Sequence, residues 1–294
     1  MTKQKNVIRL FSCLFVASMV VFAACKKETS AISSADEKNF TELSSNSTLE
    51  TYSTFDDVFN NVMGVNDEVA FGQTGVFGRI ITVDSFVNRC FTVEITGNSF
   101  PNIYPVKVVV DFGAGCTGKD GIIRKGKINT VYSGPLTVAG KVAETSFDNF
   151  FMNDTQIEGI HRIENTSTSS QLVFIVTIKD GKLTKPNGNY SQINSKNTIK
   201  QIDGSATPKL AMDDVMSITG ESNGSIKNDS AFIKWNSKIE EPLIKKFTCR
   251  WFVKGKIGVL KVNTDAAIID FGDGDCNNKA FLIINGLSTE ITLH

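Results

Sequence analysis

Apolar positions in this chain recur first with a helical period and then with a strand period. From Phe55, the residues Val58, Phe59, Val62 and Met63 follow at i+3, i+4, i+7 and i+8, which is one face of a helix. Ser53 or Thr54 can cap its start, Asp56 and Asp57 suit the first turn, and Gly64 stands where a glycine ends a helix. The spacing predicts one amphipathic helix over 50–66 whose aromatic stripe packs on its own domain. From about Val76 the period changes to two. Leu172, Phe174, Val176 and Ile178 alternate with other residues, and so do Phe247, Cys249, Trp251 and Val253. Asp180-Gly181, Asn187-Gly188 and Asn285-Gly286 read as turns, the last joining 280–284 to 287–293. Residues 191–212 are polar and poor in large apolar side chains, which reads as a long loop or a domain boundary. The fold class expected is therefore mainly β: antiparallel sheets, as a sandwich or an extended meander, with one N-terminal amphipathic helix.

A duplication organises the strand region. Asp111-Phe112-Gly113-Ala114-Gly115-Cys116 returns as Asp270-Phe271-Gly272-Asp273-Gly274-Asp275-Cys276. Each copy follows an apolar run and has one earlier cysteine, Cys90 or Cys249, at separations of 26 and 27. Beyond the turns, Cys116 aligns with Cys276 and Gly126 with Gly286. One β region, 67–200, holds the first unit, and 201–294 holds the second.

The N-terminus adds a location. Lys3, Lys5 and Arg9 precede an apolar run from Leu10 to Ala24, which is short of the ~20 residues a spanning helix needs. It ends Ala23-Ala24-Cys25 and resembles a bacterial lipobox. Residues 1–24 then form a signal peptide, and Cys25 is the acylated first residue of an exported chain, anchored by lipid. Residues 25–49 are polar and read as a disordered tether. The four remaining cysteines are even in number, and in an exported protein they argue for disulfides. Matched spacing selects Cys90 with Cys116 and Cys249 with Cys276. No C-x-x-C occurs, which argues against a thiolate metal site. Lys+Arg and Asp+Glu both number 31, so no basic surface for nucleic acid is indicated.

The two DFG units, Arg124-Lys125-Gly126-Lys127-Ile128, the stretch Gly159 to Asn165 and Ile218-Thr219-Gly220 together resemble a pattern found in uncharacterised outer-membrane lipoproteins of Bacteroidota. That resemblance covers nearly all of the folded part. It implies an exported, lipid-anchored β protein of the outer membrane, facing the periplasm or the cell surface, and it carries no established activity. Asp229-Ser230-Ala231 resembles the short O-glycan acceptor motif of exported proteins from that group.

Candidate chemistry is sparse. Asp270, Asp273 and Asp275 sit on a glycine-rich loop, as hard Ca²⁺ requires, and Ca²⁺ is the one cofactor the sequence suggests. A tight turn whose aspartates accept backbone N–H bonds explains the same residues, and the first copy has Ala114 where the second has Asp273. Gly220-Glu221-Ser222-Asn223-Gly224 matches the nucleophile elbow in letters but lacks a strand-to-helix context. Only His161 and His294 could serve a serine, and no catalytic residue is named. Trp235 and Trp251 are candidate sugar platforms, yet 21 Phe against 4 Tyr and 2 Trp is a composition for a buried core. The expected role is non-enzymatic: an envelope or cell-surface module binding a glycan or an envelope protein. Carbohydrate-active and Ca²⁺-dependent adhesive roles are the alternatives.

Overall fold

The computed structural model of the protein describes residues 34–63, 90–99, 103–118, 120–206, 213–261 and 267–293. The expected signal peptide, Cys25 and Gly64 lie outside these residues.

The helix, α1 (Ser34–Met63), is 30 residues long and begins inside the stretch expected to be a disordered tether. Within α1, residues 44–51 can pack against the sheet because their polarity is consumed internally. The hydroxyls of Ser44, Ser45, Thr48 and Thr51 donate to the carbonyls of Phe40, Thr41, Ser44 and Ser47 at 2.8–2.9 Å. With its hydroxyls satisfied four residues back, this face can be buried like an apolar one, and Ser44, Ser45, Thr48 and Thr51 are fully buried. The second half follows the predicted stripe, with Phe55, Val58, Phe59, Val62 and Met63 all buried. Among the described residues, no helix is long and apolar enough to cross a membrane.

Among the described residues, fourteen antiparallel strands form one sheet. They are β1 (Thr92–Thr96), β2 (Val106–Asp111), β3 (Cys116–Thr117), β4 (Ile123–Tyr132), β5 (Val142–Met152), β6 (Thr155–Asn165) and β7 (Val173–Thr184). Then come β8 (Tyr190–Asp203), β9 (Val215–Asn228), β10 (Ala231–Lys246), β11 (Phe252–Lys261), β12 (Ala267–Asp273), β13 (Lys279–Ile284) and β14 (Leu287–Thr292). Each strand pairs with its sequence neighbours, except that β3 pairs only with β4 and β2 pairs with β4 directly. The sheet is thus a meander with β1 and β14 at its edges, and not a sandwich. The stretch 191–212, read as a loop or boundary, instead supplies most of β8, and the sheet crosses residue 200 unbroken. Its pattern escapes a hydrophobic reading because Ser191, Ser195 and Asn197 alternate with Ile193 and Ile199 on the same buried face.

The sheet curls around α1. Tyr132 Oη of β4 donates to Val62 O at 2.9 Å, Phe59 meets Phe174 of β7, and Phe55 meets Phe147 of β5 and His161 of β6. Gly181 of β7 permits this approach, since a methyl group there would stand 2.9 Å from the Phe55 ring. A line of register shifts supplies the bend. They occur between Lys125 and Lys127, Ser146 and Phe150, Glu158 and Ile160, Ile178 and Gly181, Lys238 and Leu243, and Lys254 and Lys256. Each such bulge kinks its strand. Gly126, at φ 76°, is required at the first, because any Cβ would run into the Asn149 carbonyl.

Both expected disulfides are present, Cys90–Cys116 and Cys249–Cys276. The two DFG turns share one construction. Asp111 Oδ1 accepts Gly113 N–H at 2.8 Å and Asp270 Oδ1 accepts Gly272 N–H at 2.9 Å. Phe112 and Phe271 point into the core, the first against Phe91 and the second against Phe252. The copies diverge beyond the turns. Gly126 lies within β4, its N–H bonded to Gly113 O, whereas Gly286 follows Asn285 in the β13–β14 hairpin. The expected equivalence of those two glycines does not hold.

Candidate functional site

One ridge of α1 is left uncovered by the curled sheet, and a cavity of about 880 Å³ lies along it. Leu49, Tyr52, Ser53 and Asn60 form the helical floor. One wall comes from the region after the first disulfide, with Asp120, Ile122 and Met152. The other comes from the second unit, with Phe247, Arg250, Trp251, Phe271, Ile291 and Leu293. The volume falls in the usual range of ligand pockets, about 300–1,000 Å³.

Two adjacent aspartates of α1 fix the helix to distant strands beside this cavity. Asp56 Oδ2 is 2.7 Å from Lys245 Nζ, which also donates to the Arg250 carbonyl at 2.6 Å. Asp57 meets Arg124 at 3.2 Å, and Arg124 also holds Asp120 at 2.8 Å. Lys245 and Arg124 are buried, so neither cation has water to fall back on. Burial works against the Arg124 guanidinium, but Asp57 and Asp120 outweigh it and its pKa is raised. Burial raises Asp57 despite Arg124, whereas burial opposes the less deeply buried Asp120 too but is outweighed there by its bonds to Arg124 and Ile122 N–H, so its pKa is lowered. Near the mouth, Glu50 pairs with Lys185 at 3.2 Å. The charges of the lining are therefore mostly neutralised in place.

Deeper, between α1 and the sheet, a second cavity of about 40 Å³ is lined by His161, Ser195, Asn197 and Tyr52. Both ring nitrogens of His161 lack a hydrogen-bond partner, as do Ser195 Oγ and Asn197 Oδ1. The Tyr52 hydroxyl lies beside Ser222, Ser237 and Asn197 without a bond of ordinary length, and burial raises its pKa. Burial also lowers His161 to about 3, so the ring is neutral at any physiological pH. It is stacked on Phe55, 6.3 Å between centroids, with no nucleophile bonded to it.

The remaining sequence candidates fall as follows. Ser222 lies inside β9, facing inward and sharing a 2.6 Å hydrogen bond with Ser237, so the G-x-S-x-G letters form no elbow. His294 lies outside the described residues. Asp270 is occupied by its turn and by Lys256 at 3.8 Å, while Asp273 and Asp275 are exposed. Among the described residues, no three His, Cys, Asp or Glu side chains converge as a metal site, so the Ca²⁺ expectation at Asp270, Asp273 and Asp275 is not met. Trp235 is buried and cannot be a platform. Trp251 is half-buried in the cavity wall, with Arg250 over its ring at 5.8 Å. Ser230 is exposed in the turn between β9 and β10, next to Asp229 at φ 53°. Sequence reasoning missed Arg124, Lys245 and the aspartate pair, because nothing local marks a lysine in a strand as buried. Known protein families, curated proteins and solved structures contain no match to this chain.

Proposed function

We propose that this protein is a lipid-anchored outer-membrane module that binds a ligand, without chemical turnover, in the cavity along α1. The observation that carries this reading is the cavity itself: about 880 Å³, apolar over much of its wall, and built from parts of the chain far apart in sequence. An apolar pocket with a few placed polar groups is the usual form of a small-molecule site. The carboxylates around it are all engaged with cations, and a general acid or base needs a free, suitably tuned group. The lipobox-like N-terminus supports anchoring, and the two disulfides suit an oxidising compartment.

Calorimetric titration of the full chain with a panel of amphiphiles, oligosaccharides and envelope peptides tests the reading. Saturable binding is expected, and it should be abolished by Ser53→Trp, which fills the cavity from an exposed helical position. Binding untouched by that substitution, or turnover of a panel member, would remove the proposal.

A further inference from the structure

The charge pattern of the cavity narrows its ligand. Three cationic side chains line it: Lys185, Lys245 and Arg250. Lys185 is paired with Glu50, and Lys245 is buried against Asp56. Arg250 is exposed, and among the described residues it has no carboxylate within ion-pair distance. Its charge reaches Asp120 and helps lower that pKa, but Asp120 is bonded to Arg124 instead. The four carboxylates of the lining are held by three cations, Glu50 by Lys185, Asp56 by Lys245, and Asp57 and Asp120 together by Arg124. Counted with Arg124 the charges of the site balance, but among the described residues Arg250 is the one cation of the lining with no carboxylate in bonding contact, and it stands beside Trp251.

The opposite requirement comes from the wall. Leu49, Met152, Phe247, Phe271, Ile291 and Leu293 present apolar surface that a small inorganic anion would leave uncovered. A neutral sugar would leave Arg250 unpaired and would meet a Trp251 ring already faced by the guanidinium. Resting on the binding reading above, we propose that the cavity takes a single-chain anionic amphiphile, a long-chain carboxylate, with its head at Arg250 and its chain along the apolar wall. The guanidinium suits this head group because it can donate two parallel hydrogen bonds to one carboxylate.

Calorimetry with dodecanoate and dodecanol, below their aggregation limits, tests the assignment in the full chain. Wild type is expected to bind dodecanoate saturably, and Arg250→Gln to weaken it about tenfold, as loss of a charge-assisted, partly exposed contact does. Dodecanol should bind wild type and Arg250→Gln alike. Lys234→Gln, which removes an exposed cation outside the cavity lining, should leave dodecanoate affinity within about twofold of wild type. An unchanged melting temperature in Arg250→Gln separates the contact from the fold, since that side chain is exposed. Equal dodecanoate affinity in wild type and Arg250→Gln would overturn the assignment. So would failure of dodecanoate while another panel member binds and Ser53→Trp blocks it, an outcome that leaves the binding reading standing. If nothing binds in the cavity, both fall.

Discussion

Replacing Asp56 with alanine should cost about 3–5 kcal/mol of folding free energy, the penalty for stranding a buried charge. The Lys245 side chain is 3% exposed, and its ammonium group has two acceptors, Asp56 Oδ2 at 2.7 Å and the Arg250 carbonyl at 2.6 Å. Without the carboxylate, only the Arg250 carbonyl and the face of the Phe252 ring, 5.6 Å away, remain to balance a full charge in a buried position. Lys245→Met should cost less, about 1–3 kcal/mol, because Asp56 is 13% exposed and keeps Asn60 Nδ2 at 3.1 Å. Asp56→Ala combined with Lys245→Met should lose clearly less than the two single losses added together, since removing a whole buried pair leaves no stranded charge. Urea unfolding followed by tryptophan fluorescence reads all four proteins, with buried Trp235 as reporter. The slope should stay constant while the midpoint moves. The reasoning fails if Asp56→Ala lies within about 0.5 kcal/mol of wild type. It fails equally if the double variant loses the sum of the two single losses, because coupling would then be absent.

Two pH effects of opposite sign follow from buried titratable groups. His161, lowered to about 3 by burial from an ordinary 6.5, contributes stability that is present above pH 6.5 and lost as pH falls towards 3. His161→Phe, with a small cavity alongside to take the larger ring, should remove that loss. Its advantage in melting temperature over wild type should therefore widen from pH 7.5 to 4.5, and parallel curves would show that the ring is not buried neutral. Asp214, raised by burial to about 6 from 3.8, behaves in reverse: its contribution is present below about pH 3.8 and lost as pH rises through 6. Asp214→Asn keeps an acceptor for Gln201 Nε2, which lies 2.7 Å from Oδ1. The variant should be the more stable protein at pH 7.5 but not at pH 4, and lower stability than wild type at pH 7.5 would contradict this account.

The disulfides, the turn aspartates and the helical stripe from Phe55 to Met63 were legible because each is a local pattern. Spacing alone pairs the cysteines, and period alone orients the stripe. The first half of α1 was illegible for a definite reason. Its buried face is Ser44, Ser45, Thr48 and Thr51, and a run of hydroxyls reads as solvent-exposed unless each bond to the preceding turn is foreseen. β8 hid in the same way, with serine and asparagine facing an interior that is itself partly polar. The cavity was beyond sequence reasoning altogether. Leu49, Met152 and Leu293 line one space only once the sheet has curled, and that curl depends on bulges set by single residues such as Gly126.

The ion pair between Asp56 and Lys245 joins residues 189 positions apart. As the chain leaves the ribosome, α1 precedes every strand of the sheet, yet one of the side chains that secure it is among the later ones delivered. The fixing of α1 is therefore completed in two instalments, by Arg124 in the fourth strand and by Lys245 in the tenth. A chain interrupted before β10 would hold its central element through Arg124 and Tyr132 of β4 alone among these polar ties, with Asp56 left unanswered.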